Sequence, residues 1–371
     1  IKKMMLENGV QTHTQSGRQY FTGYMYNTLF DWDQYFDAIV QIYCNTNTDF
    51  IRNGVLIFLD NQEDNGFILR AVRPVEIRMQ EEEIEHVKPF LAQITLLLFK
   101  KENNIEWLAE NYYNRLKKSI IFWFNEKDPG KLMLPIWNSG PHTGMDNHHE
   151  RAGYWNDCYG RGVDLASYLY RECLAFAKIA AEKGKTDDYN LFNEYAKEIK
   201  DAVNKYMWND TEGMYFDIDS RTGEQISYKY AGTFAPLWAG IADKYQTGRL
   251  VNEHLLNEKE FWRPYPVPAT AATEKNYVFG HAPGDLGCSW RAHTWIPTNY
   301  YIMHGLNNSG YSDLANILAL KTRQLVESAG DWEYYGSEEG IGCGLNPFWG
   351  WSLLAYFMEA ELKEGVDPTK V

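Results

Sequence analysis

The apolar residues of this chain recur every three or four positions almost throughout, and that spacing restricts it to a helical fold. Leu165, Leu169, Cys173, Phe176 and Ala180 step by four, four, three and four, which marks one face of an α-helix. Leu191, Tyr195, Ile199, Val203 and Tyr206 continue the pattern in the next segment. The link Glu182-Lys183-Gly184-Lys185 is short and carries a glycine suited to ending a helix. Further helices are predicted near 33–46, 48–61, 89–101, 104–124, 292–305 and 348–362. Another runs from Ser312, read as its N-cap, to about Ser328, with Gly330 as its C-terminal cap.

Longer loops rich in Gly, Pro, Asn and aromatics lie at 62–87, 128–161, 209–232 and 257–291. Alternation at the strand period is confined to Met214–Asp219 and a partner near Gln225–Lys229, which predicts one hairpin. About twelve helices in 371 residues leave about 31 residues for each helix and its loop. No Pro- or Ser-rich linker divides the chain, so 1–371 reads as one all-α domain, a toroid of paired helices. An α-solenoid is the competing architecture, but a fixed-period repeat is lacking. The long loops recur on alternate connections; in a toroid they would gather at one end and form a cleft.

A net charge of -14 argues against nucleic acid, which calls for clustered Lys and Arg. No apolar run approaches the roughly 20 residues that a membrane helix needs. The five cysteines are sparse, odd in number and without metal-ligand spacing, which favours reduced thiols, no zinc and a cytoplasmic setting. The first residue is not Met, which leaves open a removed signal peptide and a secreted or periplasmic protein. Aromatics reach 15%, with 13 Trp and 26 Tyr. Such rings pack cores and also line carbohydrate clefts.

Two carboxylates stand in stretches rich in Gly and aromatics instead of on a charged helical face. Asp146 ends Ser139-Gly140-Pro141-His142-Thr143-Gly144-Met145-Asp146, and Glu333 lies in Gly330-Asp331-Trp332-Glu333-Tyr334-Tyr335. Two carboxylates are the minimum machinery for cleaving a glycosidic bond. Trp137, Met145 and Trp155 are near Asp146 in sequence; an apolar wall would keep it protonated, as a general acid requires. Read alone, Asp146 is equally a turn-capping loop residue. Glu333 is equally a surface glutamate past a helix end, with Asp331, Glu338 and Glu339 as local rivals. Trp32-Asp33, Trp290-Arg291 and Trp349-Gly350-Trp351 each open a predicted helix, with an aromatic ring beside polar groups or a close turn. Asp31 or Asp33 could also be a helix cap. Asp210, Asp217 and Asp219 lack the spacing and terminal Glu of a calcium loop, so no metal is expected there. His148-His149 lacks partners at ligand spacing and reads as surface or cleft lining. Phosphate-binding glycine loops and the GxSxG nucleophile turn are absent, and no cofactor is expected.

Taken in order, several segments resemble a clan of glycoside hydrolases. This clan holds the trehalases, processing α-glucosidase I (glycoside hydrolase family 63) and the mannosylglycerate/glucosylglycerate hydrolases. Trp32-Asp33-Gln34-Tyr35-Phe36 is similar to its early WDxxF motif. Gly66-Phe67-Ile68 with Lys88-Pro89-Phe90 resembles its GFIP and (Lys/Gln)-Pro-Pro segments. Ser139-Gly140 with Gly144-Met145-Asp146-Asn147 resembles the segment that carries the general acid. Asp164-Leu165 with Tyr168-Leu169-Tyr170 resembles its DLNxxLY helix. Trp290-Arg291 with Trp295-Ile296-Pro297-Thr298-Asn299-Tyr300 resembles WRGPxWIPxNY. Trp332-Glu333-Tyr334-Tyr335 resembles the general-base segment, and Gly350-Trp351-Ser352 the closing GW(S/T). Each motif is weak alone; seven in the clan's order, from about 20 to 360, are specific together.

The resemblance implies an (α/α)6 barrel and an inverting exo-acting α-glycosidase acting on a small α-glucoside or α-mannoside. It makes Asp146 the general acid and Glu333 the general base. It places Trp32, Asp33, Lys88, Arg151, Trp290, Arg291 and Trp351 at the sugar. The chain departs from the pattern at Ala166 for the Asn of DLN, at Arg151 one position late, and at Leu69-Arg70 for Pro-Asn. It departs again at Ala292-His293 for Gly-Pro, and at Gly336-Ser337 after the base. These changes fall mainly on substrate-facing segments and point to a different specificity. Two other readings compete. A sugar epimerase, isomerase or lyase on a similar toroid would rely on His148 or His149 for proton transfer. A non-catalytic sugar-binding protein would hold glycan without turnover.

Overall fold

A three-residue link with Gly184 in the left-handed region (φ +68°) turns the helix Val163–Glu182 back as Thr186–Ala202, and the two pack along their length. The computed structural model describes residues 2–25, 27–73, 85–153, 157–282, 285 and 287–371. Trp155 lies outside the described residues.

Six helical segments each touch the next: Asp31–Tyr43, Leu91–Glu102, Val163–Glu182, Ala235–Ala239, Ile296–Asn308 and the tight turns Trp351–Tyr356. The last also touches the first. These six are buried almost all round: Asp31–Tyr43 buries every residue from Asp31 to Gln41, and Ile296–Asn308 every residue from Ile296 to Leu306. A second set bears one apolar stripe each and packs outside them. Ser312–Ala329 buries Ala315, Leu318, Ala319, Thr322, Leu325 and Val326 and rests on Ile296–Asn308. All-round burial belongs to a helix with neighbours on every side, and a single stripe to one facing water.

The predicted helices are present, with shifted details. The last one is split into Trp351–Tyr356 and Met358–Glu364. The predicted stripe holds at Ile199 and Val203, which are fully buried, but before them Phe192 and Ala196 face inward while Leu191 is 36% exposed and Tyr195 half-buried. Gly330 does end its helix (φ +91°), but Ser312 is not the N-cap. Its hydroxyl donates to Asn307 Oδ1, and Tyr311 holds the cap position.

Strands are short and serve to tie loops. Asp217–Asp219 pairs with Gln225–Ile226 as predicted, and Gly160–Arg161 adds to it. Met214–Tyr215 pairs instead with Trp208–Asn209. Tyr334–Gly336 lies between His293–Thr294 and Gly342–Cys343. The start of Leu91–Glu102 is satisfied from a neighbour: Glu172 accepts the N–H groups of Ala92 (2.7 Å) and Gln93 (3.1 Å). Burial raises the Glu172 carboxyl to about 8 against the pull of those bonds. This contact holds the end of the loop that delivers Lys88.

Candidate active site

Asp146 stands on a loop that is bonded on several sides to the segment preceding Ile296–Asn308. Its Oδ2 accepts the Cys288 backbone N–H at 3.1 Å. Asn147 Oδ1 accepts the Trp290 N–H at 2.7 Å, and the Asn147 carbonyl accepts Arg291 Nη2 at 2.7 Å. His148 Nε2 donates to the Trp290 carbonyl at 2.7 Å. These bonds convert two irregular loops into one rigid body. Gly287 permits the approach: it has φ +70°, and a Cβ there would lie 2.5 Å from Asp146 Oδ2.

Glu333 lies just before the strand Tyr334–Gly336, past the helix that Gly330 ends. Its Oε2 accepts the Leu345 N–H at 3.1 Å, and its Oε1 accepts the Cys288 thiol at 3.3 Å. Trp351 Nε1 donates to its backbone carbonyl at 2.9 Å. Gly344 (φ +75°) leaves room that a Cβ would take, 2.4 Å from Glu333 Oε2. Cys288 thus contacts both carboxylates. Two hydrogen bonds and the span of one cysteine limit the separation of Asp146 Oδ2 and Glu333 Oε1 to about 10 Å or less.

Both carboxylates line a cavity with about 460 Å³ of empty space, counting the part open to solvent. Trp32, Trp290, Trp295 and Trp351 form its walls. Trp290 stacks on Trp295 with centroids 3.6 Å apart, and Trp295 stacks in turn on Tyr334 at 4.4 Å. Lys88 Nζ and Asp31 Oδ1 form an ion pair of 3.1 Å, both buried, and Asp31 Oδ2 accepts the Lys88 N–H. Asp31 also accepts the Trp32 N–H, so it begins the helix and fixes the lysine at once. Asp33 follows on the same first turn. Arg70 reaches the cavity over the Phe30 ring, with Nε 2.6 Å from Glu85.

Burial is the largest influence on the carboxyls of Asp146, Glu333 and Asp33. It raises Asp146 to about 6, opposed by the Arg70 charge and the Cys288 N–H. It raises Glu333 to about 7, opposed by the Leu345 N–H and the Cys288 thiol and reinforced by the Asp146 charge. Asp33 rises to about 7 through burial and then the Asp31 charge. The order of Asp146 and Glu333 does not itself separate acid from base.

Of the nine residues expected at the site, Asp146, Glu333, Trp32, Asp33, Lys88, Trp290 and Trp351 meet at this cavity. Arg151 and Arg291 do not. Arg151 is fully buried, 2.9 Å from Asp164 and 3.0 Å from Asp217, with Tyr230 OH and His148 Nδ1 taking further bonds. Arg291 is spent on Asp285, Glu150, Tyr228 and the Asn147 carbonyl. Both are corrected to loop-holding residues, because their donors are already taken by protein acceptors. His148 is likewise buried, not surface or cleft lining. Burial keeps its imidazole far below the usual range, so it is neutral.

Of the local rivals of Glu333, Asp331 and Glu338 are engaged elsewhere and Glu339 is exposed. Asp331 accepts Tyr356 OH, and Glu338 pairs with Arg263 at 2.6 Å. Asp217 is bound to Arg151 and Asp219 to Arg221, so the sequence cluster with Asp210 does not converge. Among the described residues no group of three His, Cys, Asp or Glu side chains forms a metal site. Sequence reasoning missed Phe30, Asp31, Arg70, Cys288 and Trp295 as cavity residues. Trp295 stood within a motif, and Arg70 within a departure from one. Cys288 gave no signal, since its role arises only where the two loops meet.

A model of the mannosylglycerate hydrolase MGH1-like glycoside hydrolase domain matches residues 26–352. Among solved structures, the GH63 mannosylglycerate hydrolase from Thermus thermophilus in complex with glucose superposes with a TM-score of 0.77. It has 18% sequence identity and the match covers 96% of this chain and 98% of that one. The same enzyme in complex with Tris and D-glycerate gives 0.77, at 19% identity over 96% and 98%. Neutral trehalase Nth1 from Saccharomyces cerevisiae gives 0.70, at 19% identity over 97% of this chain and 79% of that one. At these identities the superpositions speak for the fold.

Proposed function

This chain belongs to the mannosylglycerate hydrolase MGH1-like glycoside hydrolases, and from that premise we propose an inverting, exo-acting α-glycosidase for a small α-glucoside or α-mannoside. Its single catalytic domain is an (α/α)6 barrel: the ring of six buried helices supplies the inner layer and the striped helices the outer one. Disaccharides and glycosylglycerates are the substrate class. The relatives bound to glucose and to D-glycerate support that range.

The observation that carries the reading is the placement of two buried carboxylates on separate loops around one tryptophan-walled cavity, bridged by Cys288. In this reading Asp146 protonates the glycosidic oxygen, and Glu333 removes a proton from water on the opposite ring face. Inverting pairs stand about 6.5–9.5 Å apart to admit that water, and the upper limit set through Cys288 allows it. The cavity holds four carboxyl groups, Asp31, Asp33, Asp146 and Glu333, against the cations Lys88 and Arg70. The tryptophan faces suit the apolar faces of a sugar ring.

The test is a screen of α-linked disaccharides and glycosylglycerates with free-sugar detection, followed by NMR of the first product anomer. Inversion is expected. A retained anomer overturns the mechanism, and wild-type turnover in Asp146→Asn or Glu333→Gln overturns the residue assignment.

A further inference from the structure

Cys288 reaches both carboxylates through different groups. Its backbone N–H serves Asp146 Oδ2, and its thiol serves Glu333 Oε1. Glu333 Oε2 is held against the 344–345 backbone, with the Leu345 N–H at 3.1 Å. Oε1 is therefore the oxygen turned toward Cys288, which lines the cavity with Glu333. We infer that Cys288 is a positioning residue for the general base: its S–H fixes the plane of the Glu333 carboxylate through Oε1 while leaving that oxygen basic enough to take a proton from water. The inference rests on the reading of Glu333 as base.

A carboxylate held at one oxygen still turns about its last torsion, which is broad. A second contact removes that freedom. A hydroxyl or N–H would supply it too, but would stabilise the charged form strongly and weaken the base. A thiol is a weak donor, so it orients at small cost in basicity. Burial and the two neighbouring carboxylates hold the Cys288 thiol far above its usual range, so it remains an S–H donor and not a thiolate. The charged groups facing Glu333 are Asp146 from its loop and Asp33 from the helix Asp31–Tyr43. Asp31, Lys88 and Arg70 line the same cavity. None of them changes when the Cys288 side chain is replaced, and the backbone bond to Asp146 is retained.

The test uses Cys288→Ser and Cys288→Ala with α-glucosyl and α-mannosyl fluoride, from about pH 4.5 to 9. Fluoride leaves without a general acid, so the profile reports the base alone and rises through one ionisation. Cys288→Ser is expected to move that midpoint down and Cys288→Ala up, each by about half a unit or more. Cys288→Ala is also expected to lower kcat about tenfold, with KM within about twofold. Each shift decides separately, so one variant suffices if the other does not fold by circular dichroism. Midpoints unchanged from wild type, or moved in the same direction, overturn the inference. Glu333→Gln that hydrolyses the fluoride like wild type overturns the base assignment itself. An inactive Glu333→Gln with unmoved Cys288 midpoints overturns only the positioning role.

Discussion

Arg151→Leu is expected to destabilise the protein while leaving substrate affinity alone. The guanidinium is fully buried between Asp164 and Asp217, makes a further bond to Tyr230 OH, and lies 3.9 Å from the Tyr230 ring centroid. Removing one partner of a buried ion pair leaves the other charge uncompensated, at about 3–5 kcal/mol. With about 2.1 cal/mol/K of unfolding entropy per residue, 371 residues give about 0.8 kcal/mol/K. Tm should therefore fall by about 4–6 °C. The deficit should also depend on pH. Burial already holds Asp217 up at about 6 against the pull of Arg151. Without that cation its folded pKa rises further above the unfolded value. Stability then remains at low pH and is lost as pH rises through the folded pKa, so the deficit is larger at about pH 8 than at about pH 5.5. Thermal melts at both values, with Michaelis kinetics, provide the assay. Unchanged Tm with KM raised tenfold or more would show that Arg151 reaches the sugar, and the structural reasoning would be wrong.

On a natural glycoside kcat/KM should trace a bell with its maximum near about pH 6.5, between Asp146 at about 6 and Glu333 at about 7. Below that range both groups are protonated and the base is lost; above it the acid is lost. A flat profile from pH 5 to 8 would refute the pairing. Gly344→Ala should lower kcat about a hundredfold, since a displacement near 1 Å at the base is costly. The left-handed backbone should add a stability loss of about 1–2 kcal/mol; wild-type kcat would show that Glu333 is not held there. Phe192→Ala should cost about 3–5 kcal/mol in a denaturant melt, against about 0.5 kcal/mol or less for the neighbouring Leu191→Ala. The reverse ranking would show that Leu191, not Phe192, faces the core.

Helix existence was legible because it depends on local spacing. Phase was not: Leu191 and Phe192 are adjacent and both apolar, and only contact with Val163–Glu182 decides which faces inward. The candidate site divides the same way. Trp32, Asp33, Lys88, Asp146, Trp290, Glu333 and Trp351 were readable because the ordered motifs that carry them resemble those of a known clan; local chemistry alone left Asp146 and Glu333 with bland alternatives. Arg151 and Arg291 misled because an arginine near a functional loop has the same sequence signature whether it meets a ligand or a buried aspartate.

The sequence by itself determined that the chain is helical, that its long loops carry aromatics and carboxylates, and which segments carry the site. The first two follow from periodicity and residue chemistry, which are local; the third follows from the resemblance of the ordered motifs to a known clan. Only the tertiary structure decided that Cys288 touches both Asp146 and Glu333, and that Gly287 and Gly344 each make room for one of them. It also decided that Arg70 enters the cavity while Arg151 is buried against Asp164 and Asp217. These depend on loops 142 and 45 positions apart meeting in space, and on which donors the fold has already used.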